Sequence, residues 1–315
     1  MSQSFLRVAA LAGGVGGARL VYGLANSLPA GNLSVIVNIG DDFEHLGLKI
    51  CPDLDTVCYT LAGLENPKTG WGLLGETWNA LESLEKLGGP AWFRIGDRDL
   101  GTHLERTRRL RNGQSLSQVT RRFCQAWGIG ITILPASDDN VPTWVYTEEG
   151  DMPFQEYFVH HQCHPIVKGF CFEGCDQASP APGVVDAIQE ADLIVICPSN
   201  PWVSIDPILA IPGIRQMLES RPVLAVSPII GGKAVKGPAA KMYSELGIEP
   251  SAASVAGHFE GLLNGFVFDA VDRDQSEIIV KSGLKLHITD TLMRDQAGRN
   301  RLAGEVLRFG EQLAV

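Results

Sequence analysis

The chain has 315 residues, of which 45% are hydrophobic and 20% charged, with 26 basic against 36 acidic side chains and a net charge of -10. That length accommodates one large α/β unit, and the negative balance argues against non-specific capture of nucleic acid or anionic lipid. No run approaches the roughly 20 apolar residues that span a bilayer. No charged leader with an apolar core precedes the first strand, and seven cysteines, an odd number, suit free thiols in a reducing cytoplasm.

In chain order, "LRVAALAGG" reads as a buried strand and "GARLVYGLANSL" as the helix that follows it. The turn between them, "LAGGVGGARL", carries Gly13, Gly14, Gly16 and Gly17. Glycines there let backbone approach a phosphate whose charge the helix N-terminus stabilises. Arg19 stands where the dinucleotide fingerprint requires its third glycine, which weakens a nicotinamide-dependent dehydrogenase, and no G-x-x-x-x-G-K-[ST] loop is present. "LSVIVNIGDD" is a second strand, leading into four aspartates, Asp41, Asp42, Asp53 and Asp55, within fifteen positions. Crowded carboxylates repel one another unless a cation or proton offsets them. Oxygen-only ligands beside a phosphate-binding turn point to Mg2+, so one or two of the four are expected to hold metal. The others serve as turn or cap residues, with Pro52-Asp53 resembling a helix start.

From about residue 56 to 127 the periodicity is helical, as an insertion on one side of the sheet: "GWGLLGETWNALESLEKLG", "LGTHLERTRRL" and "SLSQVTRRFCQAWG". The basic run "RTRRLRNG" (Arg106 to Gly113) reads as a solvated helix face. "IGDRDLGTH" holds Asp97, Arg98, Asp99 and His103, either as an ion pair orienting a loop or as ligand recognition. β structure returns at "ILPASDDNVPTWVYTEEG". "HHQCHPIVKGFCFEGC" contains His160, His161, Cys163, His164, Cys171 and Cys175 but has no paired C-x2-C knuckle. Its spacing fits no common structural zinc pattern, so it is read as a strand with Cys171 packed on one face.

"ADLIVICPSNP" and "RPVLAVSPIIGG" are two further strands ending in small polar residues, and "AGRNRLAGEVLRFGEQL" is a closing amphipathic helix. Continuous apolar strands separated by helices predict a Rossmann-like parallel sheet with helices on both faces, residues 1–315 forming one α/β domain with its helical insertion. Ligands in such sheets bind beyond the carboxyl ends of the strands. "GGVGGAR", "NIGDD", "IGDRDLGTH", "CPSNP" and "SPIIGGKAVKGPA" are placed there together. Ser199 and Asn200 offer a hydroxyl and an amide; Ser227, Gly231, Gly232, Lys233 and Lys236 suit a loop closing over phosphates.

"GGVGGARL", "NIGDD" running into "CPDLDT", "GDRDLGTH", "ILPASDD", "PSNP", "SPIIGG" with "GPA", and "TDTLM" occur in an order that resembles the 2-phospho-L-lactate transferase family, from Gly13 to Met293. The resemblance implies a Mg2+-dependent, cytoplasmic, homodimeric enzyme of deazaflavin coenzyme F-420 biosynthesis. It would move a phospho-lactyl, phosphoenolpyruvyl or phosphoglyceryl group from a guanosine-diphosphate-linked donor to 7,8-didemethyl-8-hydroxy-5-deazariboflavin, releasing GMP. It further implies Asp42 and Asp55 as metal-holding and catalytic residues, with Asp55 and Arg98 toward the deazariboflavin. Gly13, Gly14, Gly16, Gly17, Ser199, Asn200, Ser227, Gly231 and Lys233 are the candidates for the nucleotide phosphates. The alternative is a non-enzymatic protein of the related gluconeogenesis-factor group, binding a nucleotide sugar or dinucleotide for regulation.

Overall fold

A computed structural model of the protein describes residues 6–314. Seven strands form its central sheet: β1 (Val8–Ala12), β2 (Leu33–Val37), β3 (Thr132–Pro135), β4 (Leu193–Ile196), β5 (Val223–Val226), β6 (Gly265–Asp269) and β7 (Lys285–Thr289). All neighbouring pairs are parallel, in the order β7-β6-β5-β4-β1-β2-β3. Five-residue β1 is buried throughout, as is β4, which is why both read as unbroken apolar runs. The sheet is the expected Rossmann-like one, with a switch point between β1 and β4. There the chain leaves in opposite directions and opens a crevice at the carboxyl ends.

Helix α1 (Gly14–Ser27) follows β1 directly and packs against α2 (Pro52–Leu61) and the C-terminal helix Gln296–Glu311. The departure between β2 and β3 starts earlier than expected, with an antiparallel hairpin of Phe43–His45 and Leu48–Ile50 before α2. Pro52 occupies the first turn of α2, with Asp53 and Asp55 beside it, where a fixed φ and negative charge both suit a helix start. The helix expected across residues 70–88 forms only as α3 (Asn79–Lys86). Gly72 and Gly75 adopt φ of 69° and 75°, outside the helical range, and Leu73 bridges back to Glu65. Helices α4 (Asp97–Arg111) and α5 (Leu116–Ala126) complete the insertion. The second is set by a capping box between Ser115 and Gln118.

A smaller antiparallel sheet of Gly150–Pro153, Thr143–Thr147 and Val167–Phe172 flanks the main one. It covers a satellite core of Val145, Phe154, Tyr157, Val167, Val203 and Met242. Among the described residues no helix is long and apolar enough to cross a membrane.

Candidate active site

A crevice of about 710 Å3 lies at the switch point. All five segments singled out above reach its wall, through Gly13, Gly14 and Gly16, Asp41, Asp99 and His103, Ser199 and Asn200, and Ser227. One of them arrives differently from expectation, since "GDRDLGTH" opens helix α4 rather than ending a strand.

The glycine turn is shaped by close approach. Gly14 has φ of 61°, and a Cβ on Gly16 would stand 2.2 Å from the Pro198 carbonyl oxygen. Two of its amides are already committed: Gly13 N donates to Ser199 Oγ at 3.1 Å and Gly14 N to Asp53 Oδ1 at 2.7 Å. Ser199 Oγ in turn donates to Gly13 O at 2.8 Å, which ties the ends of β1 and β4 together. Gly17 is buried against Ser199 and Ala12 and is not on the wall. Among the described residues no side chain caps the remaining first-turn amides of α1, leaving them as the donors an anion could use.

The four aspartates divide into two pairs. Asp41 and Asp53 are satisfied. Asn38 Nδ2 lies 2.8 Å from Asp41 Oδ1 and 2.9 Å from Asp53 Oδ2, and Gln155 Nε2 donates to Asp41 Oδ2 at 3.1 Å. Burial pushes Asp53 up to about 6 against the hydrogen bonds from Asn38 and Gly14. Burial, then the charge of Asp53, lifts Asp41 well above the usual carboxylate range. The second pair is not satisfied. Among the described residues, both oxygens of Asp42 and Oδ2 of Asp55 are buried with no close hydrogen-bond donor. Asp42 sits off the crevice wall, 3.6 Å from Lys49 Nζ. Burial raises both carboxyls, opposed by Lys49 at Asp42 and by Arg106 at Asp55.

Arg106 corrects the reading of the basic run as a solvated face. It is 2% exposed and its Nη2 donates to Asp55 Oδ1. Burial alone would lower its pKa, but the Asp55 charge outweighs that and holds the guanidinium protonated. Its Nη1 is 3.2 Å from His103 Nδ1. An arginine can only donate, so Nδ1 faces it as the acceptor, and Nε2 lies 3.4 Å from Asp99 Oδ2. Tyr59 donates its hydroxyl to Asp99 Oδ1 at 2.5 Å. A buried chain Arg106–His103–Asp99–Tyr59 thus backs Asp55.

Other predicted residues are placed elsewhere. Arg98 is exposed, off the wall, and donates to Leu74 O. Lys233 is exposed and off the wall, and Gly231 N donates to Asp272 Oδ2 at 3.0 Å. Ser227 Oγ is used within its own turn, and Asn200 Oδ1 accepts the Trp202 amide at 3.1 Å. The cations on the wall are Arg19, Arg94 and Lys236, the last donating to Thr69 O. Arg19 entered the sequence reading only as a missing glycine, although a basic residue one turn into a phosphate-facing helix was a usable signal. Trp71, Trp92, Phe93, Phe154 and Phe158 add a broad aromatic surface, with Phe154 and Phe158 stacked at 5.5 Å. It suits a flat ring ligand.

The family model for 2-phospho-L-lactate transferase CofD matches residues 8–300. The chain belongs to that family. It is therefore a transferase by descent. Two relatives, from Streptomyces griseus and Mycolicibacterium smegmatis, carry the name phosphoenolpyruvate transferase. The first is 43% identical over 316 residues, covering 98% of this chain and 99% of its own. The second is 43% identical over 308 residues, covering 90% and 94%. A crystal structure from Bacillus halodurans, of a UPF0052 family member, superposes with a TM-score of 0.63 over 97% of this chain and 100% of its own, at 16% identity. At that identity it shows the shared fold alone.

Proposed function

We propose that the protein acts in coenzyme F-420 biosynthesis, moving a phosphoenolpyruvyl group from a guanosine-diphosphate-linked donor to 7,8-didemethyl-8-hydroxy-5-deazariboflavin and releasing GMP. The observation that carries this reading is the set of three buried oxygens on Asp42 and Asp55 that accept no close hydrogen bond among the described residues, with Lys49 Nζ 3.6 Å from Asp42 and His103 Nδ1 3.8 Å from Asp55. Buried carboxylate oxygens without donors are costly, and a hard divalent cation removes that cost. The residues therefore fit Mg2+, with Asp42 and Asp55 holding it. Bound there, the ion would neutralise charge on the donor's diphosphate.

The chain's own groups supply the rest. First-turn amides of α1, with Arg19 and Lys236, hold the nucleotide phosphates, and the aromatic wall holds the deazaflavin ring. The ribityl hydroxyl attacks the phosphorus that bears the enolpyruvyl group. The bond from that phosphorus to the bridging oxygen breaks, and GMP leaves with the electron pair. The hydroxyl proton passes to a crevice carboxylate. Asp53, pushed up to about 6 by burial and lining the crevice, is assigned that role. Positioning and charge neutralisation provide most of the acceleration. The phosphoenolpyruvyl donor is favoured by the names of the relatives.

Incubating the protein with Mg2+, the deazariboflavin and each guanylylated phospho-acid in turn tests the reading. GMP release with a product heavier by the enolpyruvyl phosphate is expected for that donor. Donor binding without GMP release would favour a regulatory binding protein instead.

A further inference from the structure

Glu156, His160 and His161 meet on one wide turn, the π-helical segment Glu156–His160 and the residue after it. Each offers a ligand atom, and the three atoms lie within 4.8 Å of one another. Glu156 Oε1 is 3.9 Å from His161 Nε2, and the two imidazole rings are 5.0 Å apart. The wide turn is what brings them together, because it shifts residues four and five apart onto one side. None of the three is on the crevice wall. His160, however, stacks on Trp92 at 5.3 Å and 20°, and Trp92 is part of that wall.

Two imidazoles and one carboxylate form a donor set for borderline transition ions, and three protein ligands leave a fourth position open. Mg2+, which takes oxygen donors, does not suit it. A tetrahedral ion with bonds of about 2.0–2.1 Å draws its ligand atoms to about 3.3 Å from each other. His160 is exposed and the other two are half-buried, so the side chains are free to make that closure by rotation.

We propose that Glu156, His160 and His161 bind one divalent transition cation of the zinc class, with water in the fourth position, set back from the crevice by the ring of Trp92. This site is distinct from the carboxylates of the crevice and does not depend on the reaction proposed above. Occupancy fixes the His160 ring and, through the stack, the Trp92 face that the crevice presents.

The test is a Co2+ titration of tag-free, chelator-treated and desalted protein in excess Mg2+, following visible absorption and tryptophan fluorescence. One equivalent should bind with d–d absorption and be displaced by Zn2+. It should quench fluorescence in the native chain but not in Trp92→Phe. His161→Gln and Glu156→Gln should each weaken binding by more than about tenfold, with far-UV circular dichroism unchanged. Absence of a saturating equivalent would overturn the proposal. So would binding that survives His161→Gln, or that vanishes on Cys163→Ser while the histidine variants bind normally.

Discussion

Asp53 reaches from the first turn of α2 to the glycine turn, where its Oδ1 accepts the Gly14 amide proton at 2.7 Å. Its other oxygen accepts a hydrogen bond from Asn38 Nδ2 at 2.9 Å. The turn after β1, the end of β2 and the start of α2 are thereby one hydrogen-bonded unit. A carboxylate here occupies the helix N-terminus and leaves the later amides of the turn for substrate phosphate.

Asp53 gives the metal-free protein a definite pH dependence. Its ordinary value is 3.8 and its folded value about 6, so the folded state holds the proton more tightly than the unfolded chain. The group's stabilising contribution is full below 3.8, is lost as pH rises toward 6, and is flat above that. Its size is about 3 kcal/mol at most. Asp41, Asp42 and Asp55 are raised too and act in the same sense. Thermal melts in chelator across this window should show stability falling as pH rises, and Asp53→Asn should flatten the slope. An unchanged slope in the variant would refute the assignment.

Gly14 and Gly16 should fail for different reasons. At Gly14 an added Cβ meets nothing closer than 3.9 Å, so Gly14→Ala suffers only from φ of 61°, about 1–2 kcal/mol. At Gly16 the Cβ would lie 2.2 Å from Pro198 O, and backbone must move. Gly16→Ala should cost about 3 kcal/mol and weaken guanine-nucleotide binding more than Gly14→Ala does. Urea unfolding and nucleotide titration on both variants check the order.

Arg106→Leu leaves the Asp55 charge buried without its partner, which should cost about 3–5 kcal/mol. Removing both charges in Arg106→Leu/Asp55→Leu should recover much of that stability while abolishing transfer. Urea midpoints set beside GMP release separate the two effects. A double variant as unstable as the single one would show that the pair is not the source of the loss.

The parallel sheet and the crevice were legible because strands buried on both faces write themselves as "VAALA" and "LIVI", followed at once by glycine or small polar residues. Two strands were not singled out. Lys285–Thr289 is a half-exposed edge whose alternation is short, and Gly265–Asp269 is a buried run opened by a glycine. The partner of Asp55 was hidden because Arg106 sits in a run of arginines and meets a carboxylate 51 positions earlier in the chain. The division of the four aspartates into satisfied and unsatisfied pairs is set by Asn38 and Gln155. Neither donor is marked by spacing. Glu156 escaped attention beside the histidines because an ordinary helical turn would not bring residues five apart together.

Asp42 and Asp55 are proposed to grip a divalent ion beside a nucleotide diphosphate. Mn2+ substituted for Mg2+ tests it through paramagnetic broadening of the 31P resonances of bound GDP. Both phosphorus signals should broaden strongly in the native protein and stay sharp in Asp42→Asn and in Asp55→Asn, while Asp139→Asn, whose carboxylate lies off the crevice wall and accepts from Ser179 N, behaves as native. GDP that binds with sharp signals in the presence of Mn2+, or broadening that persists in both aspartate variants, would refute the site.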